Sequence, residues 1–249
     1  MVNSEKTVLI TGATGDFGKA FAQKFYDGGF SLILHGRNPE KLAALQEEFP
    51  GSQVLCFDIT DMDAVAEALA DFPAVDVLVN NAGGAIGQDP ADESQLSDWM
   101  GMIDSNVRGL VAVTHAFLPK MVEAGRGHII NIGSVAGNYC YPGGHVYNGC
   151  KAFVKQFSGA LRADLIGKNV RVTNIEPGIA ETQFSLVRFK GDADRAAAVY
   201  ADTDALQAED VAESVYWVAI QPPHVNVSRL EIMSTMQATG PLSVHRKGN

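Results

Sequence analysis

Apolar residues in this chain fall into short unbroken runs, separated by longer stretches with helical spacing. Thr7-Val8-Leu9-Ile10 is the first such run. Consecutive apolar positions fit a strand buried on both faces. Comparable runs occupy Ser31–Leu34, Gln53–Phe57, Val75–Val79, His128–Ile132, Val170–Ile175 and Arg229–Met233. Between them, Asn38-Pro39 supplies an N-cap followed by proline at the first helical position, predicting a helix to about Phe49. Thr60-Asp61-Met62-Asp63 is a capping signal for the next helix. Gln95 to about Glu123 reads as one long helix with a kink at Pro119, and Tyr147–Ile166 and Ala208–Ala219 as two more. Strands alternating with helices predict an α/β fold: one domain over 1–249, with a parallel sheet covered on both faces. The irregular stretch from Ala180 to Asp202, with its own short helical piece, has the length of a functional lid.

Composition narrows the setting. Hydrophobic residues make up 46% of the 249 and charged residues 19%, a globular balance. The net charge of −10 argues against a nucleic-acid or anionic-membrane partner. Cys56, Cys140 and Cys150 cannot all pair and none stands in a metal or redox spacing, so a reducing cytoplasm is expected and no metal. The first helical stretch follows a strand and a glycine turn, which predicts no signal peptide. The longest stretch without Asp, Glu, Lys or Arg, Gly127–Cys150, is broken by His, Asn, Gly and Pro and predicts no membrane span.

Candidate chemistry begins at Thr11-Gly12-Ala13-Thr14-Gly15-Asp16-Phe17-Gly18, directly after the first strand. Glycines there permit a tight turn and close backbone approach to a pyrophosphate, and the following helix supplies N–H donors. The second strand ends at His35-Gly36-Arg37-Asn38. A site for NAD wants an acidic residue at that point. Arg37 suits a 2′-phosphate instead, which favours NADP. Asp58, after the third strand, is placed for the adenine end or for capping its own turn.

Tyr147 and Lys151 lie four positions apart, on one face of a predicted helix. A free tyrosine has a pKa of about 10 and is a poor base at neutral pH. A nearby ammonium is expected to lower that value, so the phenol can exchange a proton while a hydride moves. Ser134, after the fifth strand, is placed to bond the substrate oxygen.

Taken in order, Thr11-Gly12 to Gly18, Asn80-Asn81-Ala82-Gly83, Asn106, Ser134, Tyr147-x-x-x-Lys151 and Pro177-Gly178 through Thr182 resemble the short-chain dehydrogenase/reductase family over almost the whole chain. The resemblance implies a single doubly wound Rossmann domain with a seven-stranded sheet, its dinucleotide-binding part at about 1–135 and its catalytic part at about 134–249, assembled as a homotetramer or dimer. It implies Tyr147 as acid/base, Lys151 on the nicotinamide ribose, Ser134 on the substrate carbonyl, and Asn106 holding a water in a relay to Lys151. Gly12, Thr14, Phe17, Gly18, Asp58, Ile59, Asn81, Ala82, Gly83, Pro177, Gly178, Ile179 and Thr182 would line the NADP, Ile179 through its backbone at the carboxamide. The family pattern usually has glycine where this chain has Asp16. A carboxylate there repels a pyrophosphate unless it points away.

A narrower resemblance, to NADP-dependent 3-hydroxy acid dehydrogenases, rests on Gly127-His128-Ile129-Ile130-Asn131-Ile132-Gly133-Ser134, Lys151 to Phe157, Val187 to Asp192 and His224 to Val227. It implies short 3-hydroxy acids such as serine or 3-hydroxypropionate, with malonic semialdehyde as an aldehyde form. Pro177-Gly178-Ile179-Ala180-Glu181-Thr182-x-Phe184 looks closer to the sulfoacetaldehyde reductases, which form isethionate. Either substrate is a small anion and needs a cation near the hydride position. Arg188 is the candidate, since its fork binds carboxylate or sulfonate bidentately, with Arg195 and Lys190 as the alternatives. Tyr141 and His145 are candidate donors on the substrate wall. A non-catalytic dinucleotide sensor is the alternative from another class; an intact Ser134, Tyr147 and Lys151 speak against it.

Overall fold

The computed structural model describes residues 6–239. Along the chain run β1 (Thr7–Ile10), α1 (Asp16–Asp27), β2 (Ser31–Gly36), α2 (Pro39–Glu48), β3 (Gln53–Cys56), α3 (Met62–Leu69), β4 (Val77–Asn80) and α4 (Leu96–Ile103). A π-helical turn (Asp104–Arg108) leads into α5 (Gly109–Glu123) and β5 (Gly127–Ile132). Then come α6 (His145–Asp164), β6 (Val170–Pro177), α7 (Phe184–Arg188), α8 (Ala193–Tyr200), α9 (Ala208–Ala219) and β7 (Arg229–Ile232). The seven strands form one sheet in the order β3-β2-β1-β4-β5-β6-β7, every pair parallel.

Each central strand is buried on both faces, so alternate side chains feed two cores. Val8, Ile10, Leu32, Leu34, Val77 and Val79 pack with Phe21, Phe25 and Val215 from α1 and α9. Leu9, Ile33, Leu78 and Ile129 pack on the other side with Val65, Val113, Phe117 and Met121. Truncating Phe25 or Phe117, both fully buried, to alanine costs roughly 3–5 kcal/mol. Helix starts follow the expected signals: Asn38 accepts from the Lys41 N–H at 2.7 Å, and the Asp61 carboxylate accepts from Asp63 and Ala64.

Two expectations are corrected. The long helix over 95–123 is interrupted at the π turn, and α5 runs through Pro119. At that turn Asn106 points inward and donates to the carbonyls of Met102 (2.9 Å) and Gly84 (2.8 Å), which holds the widened backbone open. The lid over 180–202 carries two helices, α7 and α8, where one short piece was expected. Asp192 caps α8 by accepting from the Arg195 N–H at 3.0 Å.

Strand order reverses between β1 and β4, because the chain builds outward to β3 and then returns to the other side of β1. Loops leaving the carboxyl ends of both strands frame a crevice there, where open α/β sheets take their ligands.

Candidate active site

The glycine turn sits at the β1 end of that crevice. Gly12 has φ +65°, a conformation only glycine adopts readily, and an added Cβ would stand 3.0 Å from the Ala82 Cα. A Cβ on Gly18 would press into the Gly12 carbonyl oxygen and stand 2.6 Å from the Ala13 Cα. The turn thus lies flat against β4's exit and leaves its outer side open. Gly15, the N-cap of α1, supplies no capping side chain, so the first-turn N–H groups of α1 are available to an anion.

The chain braces this turn from below. The Thr11 hydroxyl accepts from the N–H groups of Asn81 (2.9 Å) and Ala82 (3.0 Å), and the Asn81 amide donates to the carbonyls of Thr11 and Gly12. Asn81 therefore serves the turn with its side chain. Buried His35, which composition gave no reason to single out, accepts from Gly12 N–H at 3.4 Å and holds the Phe57 carbonyl at 3.1 Å through its other ring nitrogen. Burial pushes its pKa down to about 4. Thr14 packs beneath Gly36, and Phe17 stacks on Phe21 at 5.9 Å.

Arg37 and Asp58 extend from the ends of β2 and β3 with 4.0 Å between guanidinium and carboxylate, both open to solvent. Asp58 accepts from the Thr60 N–H and hydroxyl at 2.9 and 2.8 Å; the first of these bonds is the main reason its carboxyl lies below the usual range. Ile59 is buried against Gly109 and offers a ligand only its backbone.

The catalytic candidates converge at the ends of β5 and β6. Ser134 follows β5, accepts from the Ala136 N–H at 3.1 Å, and hydrogen-bonds the Tyr147 phenol. Tyr147 and Lys151, on the first turns of α6, are both buried and face the same side. Lys151 lies 5.6 Å from the Tyr147 ring centre and donates to the Ile132 carbonyl at 2.9 Å.

Here the expected electrostatics is corrected. Burial raises the Tyr147 pKa, with the Tyr141 phenol adding to the rise, and the opposing influences are the Ser134 hydrogen bond and the Arg188 charge rather than the Lys151 ammonium. Burial also brings Lys151 down to about 8. The amine lies beside the ring and donates one bond to the Ile132 carbonyl.

Arg188 enters from the lid. Its guanidinium carbon stands 5.1 Å from the Tyr141 ring centre, and its Nε donates to the Gly87 carbonyl at 3.3 Å. Its Nη2 is buried and has no hydrogen-bond partner among the described residues. Tyr141 and Phe184 complete the wall, the latter 5.7 Å from the Tyr147 ring centre. His145 points elsewhere: its Nε2 meets the Ser94 hydroxyl at 3.1 Å and its ring packs on Trp99. Cys150 is a buried packing residue.

Several positions differ in what they offer. Ile179 gives its N–H to Gln237 Oε1 (2.8 Å) and its carbonyl to the Leu206 N–H (3.0 Å), so both backbone groups are engaged. Gly178 donates to the Ile232 carbonyl at 2.8 Å, Pro177 ends β6, and the Thr182 hydroxyl accepts from the Phe184 N–H at 3.3 Å. Asn106 keeps a buried Oδ1 without a partner, close against Gly83.

Supporting polar contacts emerge only in three dimensions. Asn80 donates to Thr114 and to Asn131, and Asn131 to Ser158, each at 2.8–2.9 Å. This row ties β4 and β5 to α5 and α6 beneath the site. Asn80 in the Asn80-Asn81-Ala82-Gly83 run and an asparagine inside the apolar run Ile129-Ile130-Asn131-Ile132 were its signals in the sequence. Gly87, which meets Arg188 through both backbone groups, had none.

A short chain dehydrogenase family model matches residues 6–192. The chain is 50% identical over 246 residues to the NADP-dependent 3-hydroxy acid dehydrogenase YdfG of Salmonella typhi, covering 96% of this chain and 99% of that protein. It is 51% identical over 247 residues to sulfoacetaldehyde reductase 2 of Chromohalobacter salexigens, covering 96% and 98% respectively. The closed form of a serine dehydrogenase complexed with NADP+ superposes with a TM-score of 0.92 at 48% identity, covering 97% of this chain and all of that one. With its turn, its Ser-Tyr-Lys cluster and these likenesses, the chain belongs to the short-chain dehydrogenase/reductase family.

Proposed function

We propose that the protein is an NADP(H)-dependent oxidoreductase that interconverts a short anionic 3-hydroxy acid and its aldehyde or keto form. The observation that carries this reading is the Arg188 guanidinium, partly buried, with Nη2 unpartnered among the described residues, beside Tyr141 and within electrostatic reach of the Tyr147 phenol. A buried donor without an acceptor costs about 1–3 kcal/mol, and a carboxylate or sulfonate supplies the missing acceptor.

The open glycine turn, the uncapped start of α1 and the exposed Arg37 suit a dinucleotide with a 2′-phosphate. Thr14, Phe17, Asp58, Ala82, Gly83 and Thr182 are read as its further lining, and Asn81 as the brace beneath. When bound, that cofactor supplies or accepts the hydride. Tyr147 gives its proton to the carbonyl oxygen in reduction and takes it back in oxidation. Ser134 hydrogen-bonds the same oxygen and steadies the charge on it. Lys151, charged below about pH 8, keeps a positive potential along the ring. A buried Asn106 Oδ1 with no partner among the described residues supports reading it as the holder of a water in a relay to Lys151.

Three unpaired thiols support a cytoplasmic setting. Among the described residues no helix is long and apolar enough to cross a membrane. Exposed Leu96, Met100 and Phe153 on α4 and α6 support assembly into a homotetramer or dimer. The test is a comparison of NADPH-linked reduction of malonic semialdehyde, sulfoacetaldehyde and an uncharged aldehyde of equal length. Either anion should be reduced far faster than the neutral compound, and which anion leads assigns the carboxylate or the sulfonate. Equal rates for all three would overturn the reading.

A further inference from the structure

The lid between β6 and α9 is fastened at several points. Gly87 N–H donates to the Arg188 carbonyl at 2.8 Å, while the Arg188 Nε returns a bond to the Gly87 carbonyl. Lys190 pairs with Asp98 at 2.7 Å. Inside the lid, Tyr200 meets the Ser185 hydroxyl at 2.6 Å. These contacts hold its far side to the loop after β4 and to α4. The near side is held differently. The Asp16 carboxylate accepts from the Gln183 N–H at 2.6 Å, joining residues 167 positions apart.

Asp16 is the first residue of α1, where a carboxylate is favoured by the helix field. The helix is anchored by Phe21, Ala22 and Phe25, all fully buried. Gln183 is the N-cap of α7, whose last residue is Arg188. A fixed acceptor on a rigid helix therefore sets where α7 begins, and α7 spans one short rise from that point to the guanidinium. The same bond turns the carboxylate toward the lid, which answers the repulsion expected beside a pyrophosphate.

We propose that Asp16 is a positioning residue for substrate binding: its carboxylate clasps the start of the lid and thereby sets the reach of Arg188. The proposal rests on reading Arg188 as the anion-binding group. It assigns to Asp16 a role apart from direct contact with either reactant.

The test compares wild type, Asp16→Gly and Asp16→Asn. Asparagine keeps an oxygen acceptor without the charge. Amide hydrogen exchange of the free protein should quicken about tenfold or more over 183–188 in Asp16→Gly and stay near wild type in Asp16→Asn. Exchange over 21–27 of α1 should change little in either, separating a lost clasp from a damaged helix. For whichever of malonic semialdehyde and sulfoacetaldehyde is turned over, KM should rise about fivefold or more in Asp16→Gly, with kcat falling less than KM rises. Asp16→Asn should restore KM. NADPH affinity, followed by fluorescence, should hold or tighten in Asp16→Gly. Lid exchange unchanged in Asp16→Gly, or an asparagine that restores neither exchange nor KM, overturns the clasp. A loosened lid with KM raised equally for a neutral aldehyde keeps the clasp and removes Arg188 from anion binding, so the two failures are told apart.

Discussion

The Lys151 ammonium lies 5.6 Å from the centre of the Tyr147 ring and donates to the Ile132 carbonyl at 2.9 Å. It flanks the aromatic face instead of bonding the hydroxyl. Burial keeps Tyr147 protonated, so the free site holds a proton donor ready for a carbonyl compound. Two groups with pKa values displaced in opposite directions, both chiefly by burial, set the pH behaviour.

Lys151 carries its charge below about pH 8 and loses it above. In the reductive direction kcat/KM should therefore be level through neutrality and fall as pH passes about 8. In the oxidative direction the phenol must give up its proton first, and since burial holds its pKa above the usual value, rates should still be climbing without a plateau at pH 10. Initial rates in both directions from pH 6 to 10 check this. A reductive rate already falling between pH 6 and 7 would point to a different titrating group.

Tyr147→Phe removes the proposed acid and leaves the ring that packs against Phe184. Turnover should fall by about a thousandfold. NADPH binding, read by fluorescence titration, should stay within about threefold of wild type.

Arg188→Ala takes away the buried, unpartnered guanidinium nitrogen. KM for an anionic aldehyde should rise by about a hundredfold, the scale of a lost charge-assisted bidentate contact. A neutral aldehyde of the same length should lose far less. Arg188→Lys should recover only part of the loss, since an ammonium cannot present two parallel donors.

Arg37 is exposed and tied only loosely to Asp58, at 4.0 Å. Arg37→Ala should weaken NADPH by about tenfold and leave NADH nearly unaffected, because only the former carries the phosphate it would meet. Parallel titration with the two cofactors decides it.

His35 supports the glycine turn in its neutral form, with a pKa brought down to about 4 by burial. The unfolded chain takes up a proton on this ring below about pH 6.5, while the folded protein does not until about 4. Stability is therefore complete above 6.5 and declines as pH falls from 6.5 to 4, by about 3 kcal/mol for this group. Urea unfolding of wild type and His35→Gln at pH 7 and pH 4 should show that difference. An equal acid loss in both proteins would assign it to other groups.

The central strands were legible because parallel strands buried on both faces need largely apolar runs, while the edge strands β3 and β7, part exposed and carrying Gln53, Arg229 and Glu231, stand at more mixed ones. Helix starts with Asn38-Pro39 and Asp61 were legible because a cap is a local bond. The break before Asn106 was not: π geometry there depends on a carbonyl of Gly84, distant in the chain and invisible to periodicity. Tyr147, Lys151 and Ser134 could be singled out because they stand in order with the family's other motifs; the four-residue spacing alone is common on amphipathic helices. The direction of their pKa shifts could not, since burial is a property of the packed molecule. His145 shows the same limit, its neighbours Ser94 and Trp99 being brought to it by α4 and the loop before it.

The reversal of strand order at β1 and β4 divides labour across the sheet. Groups proposed to choose between dinucleotides sit at the ends of β2 and β3, while those proposed to handle the carbonyl compound sit beyond β4, β5 and β6. Selection can thus retune one preference without disturbing the other. An engineer seeking a new reductant and a new aldehyde can work on opposite flanks of the same scaffold, and combine the results with little interference.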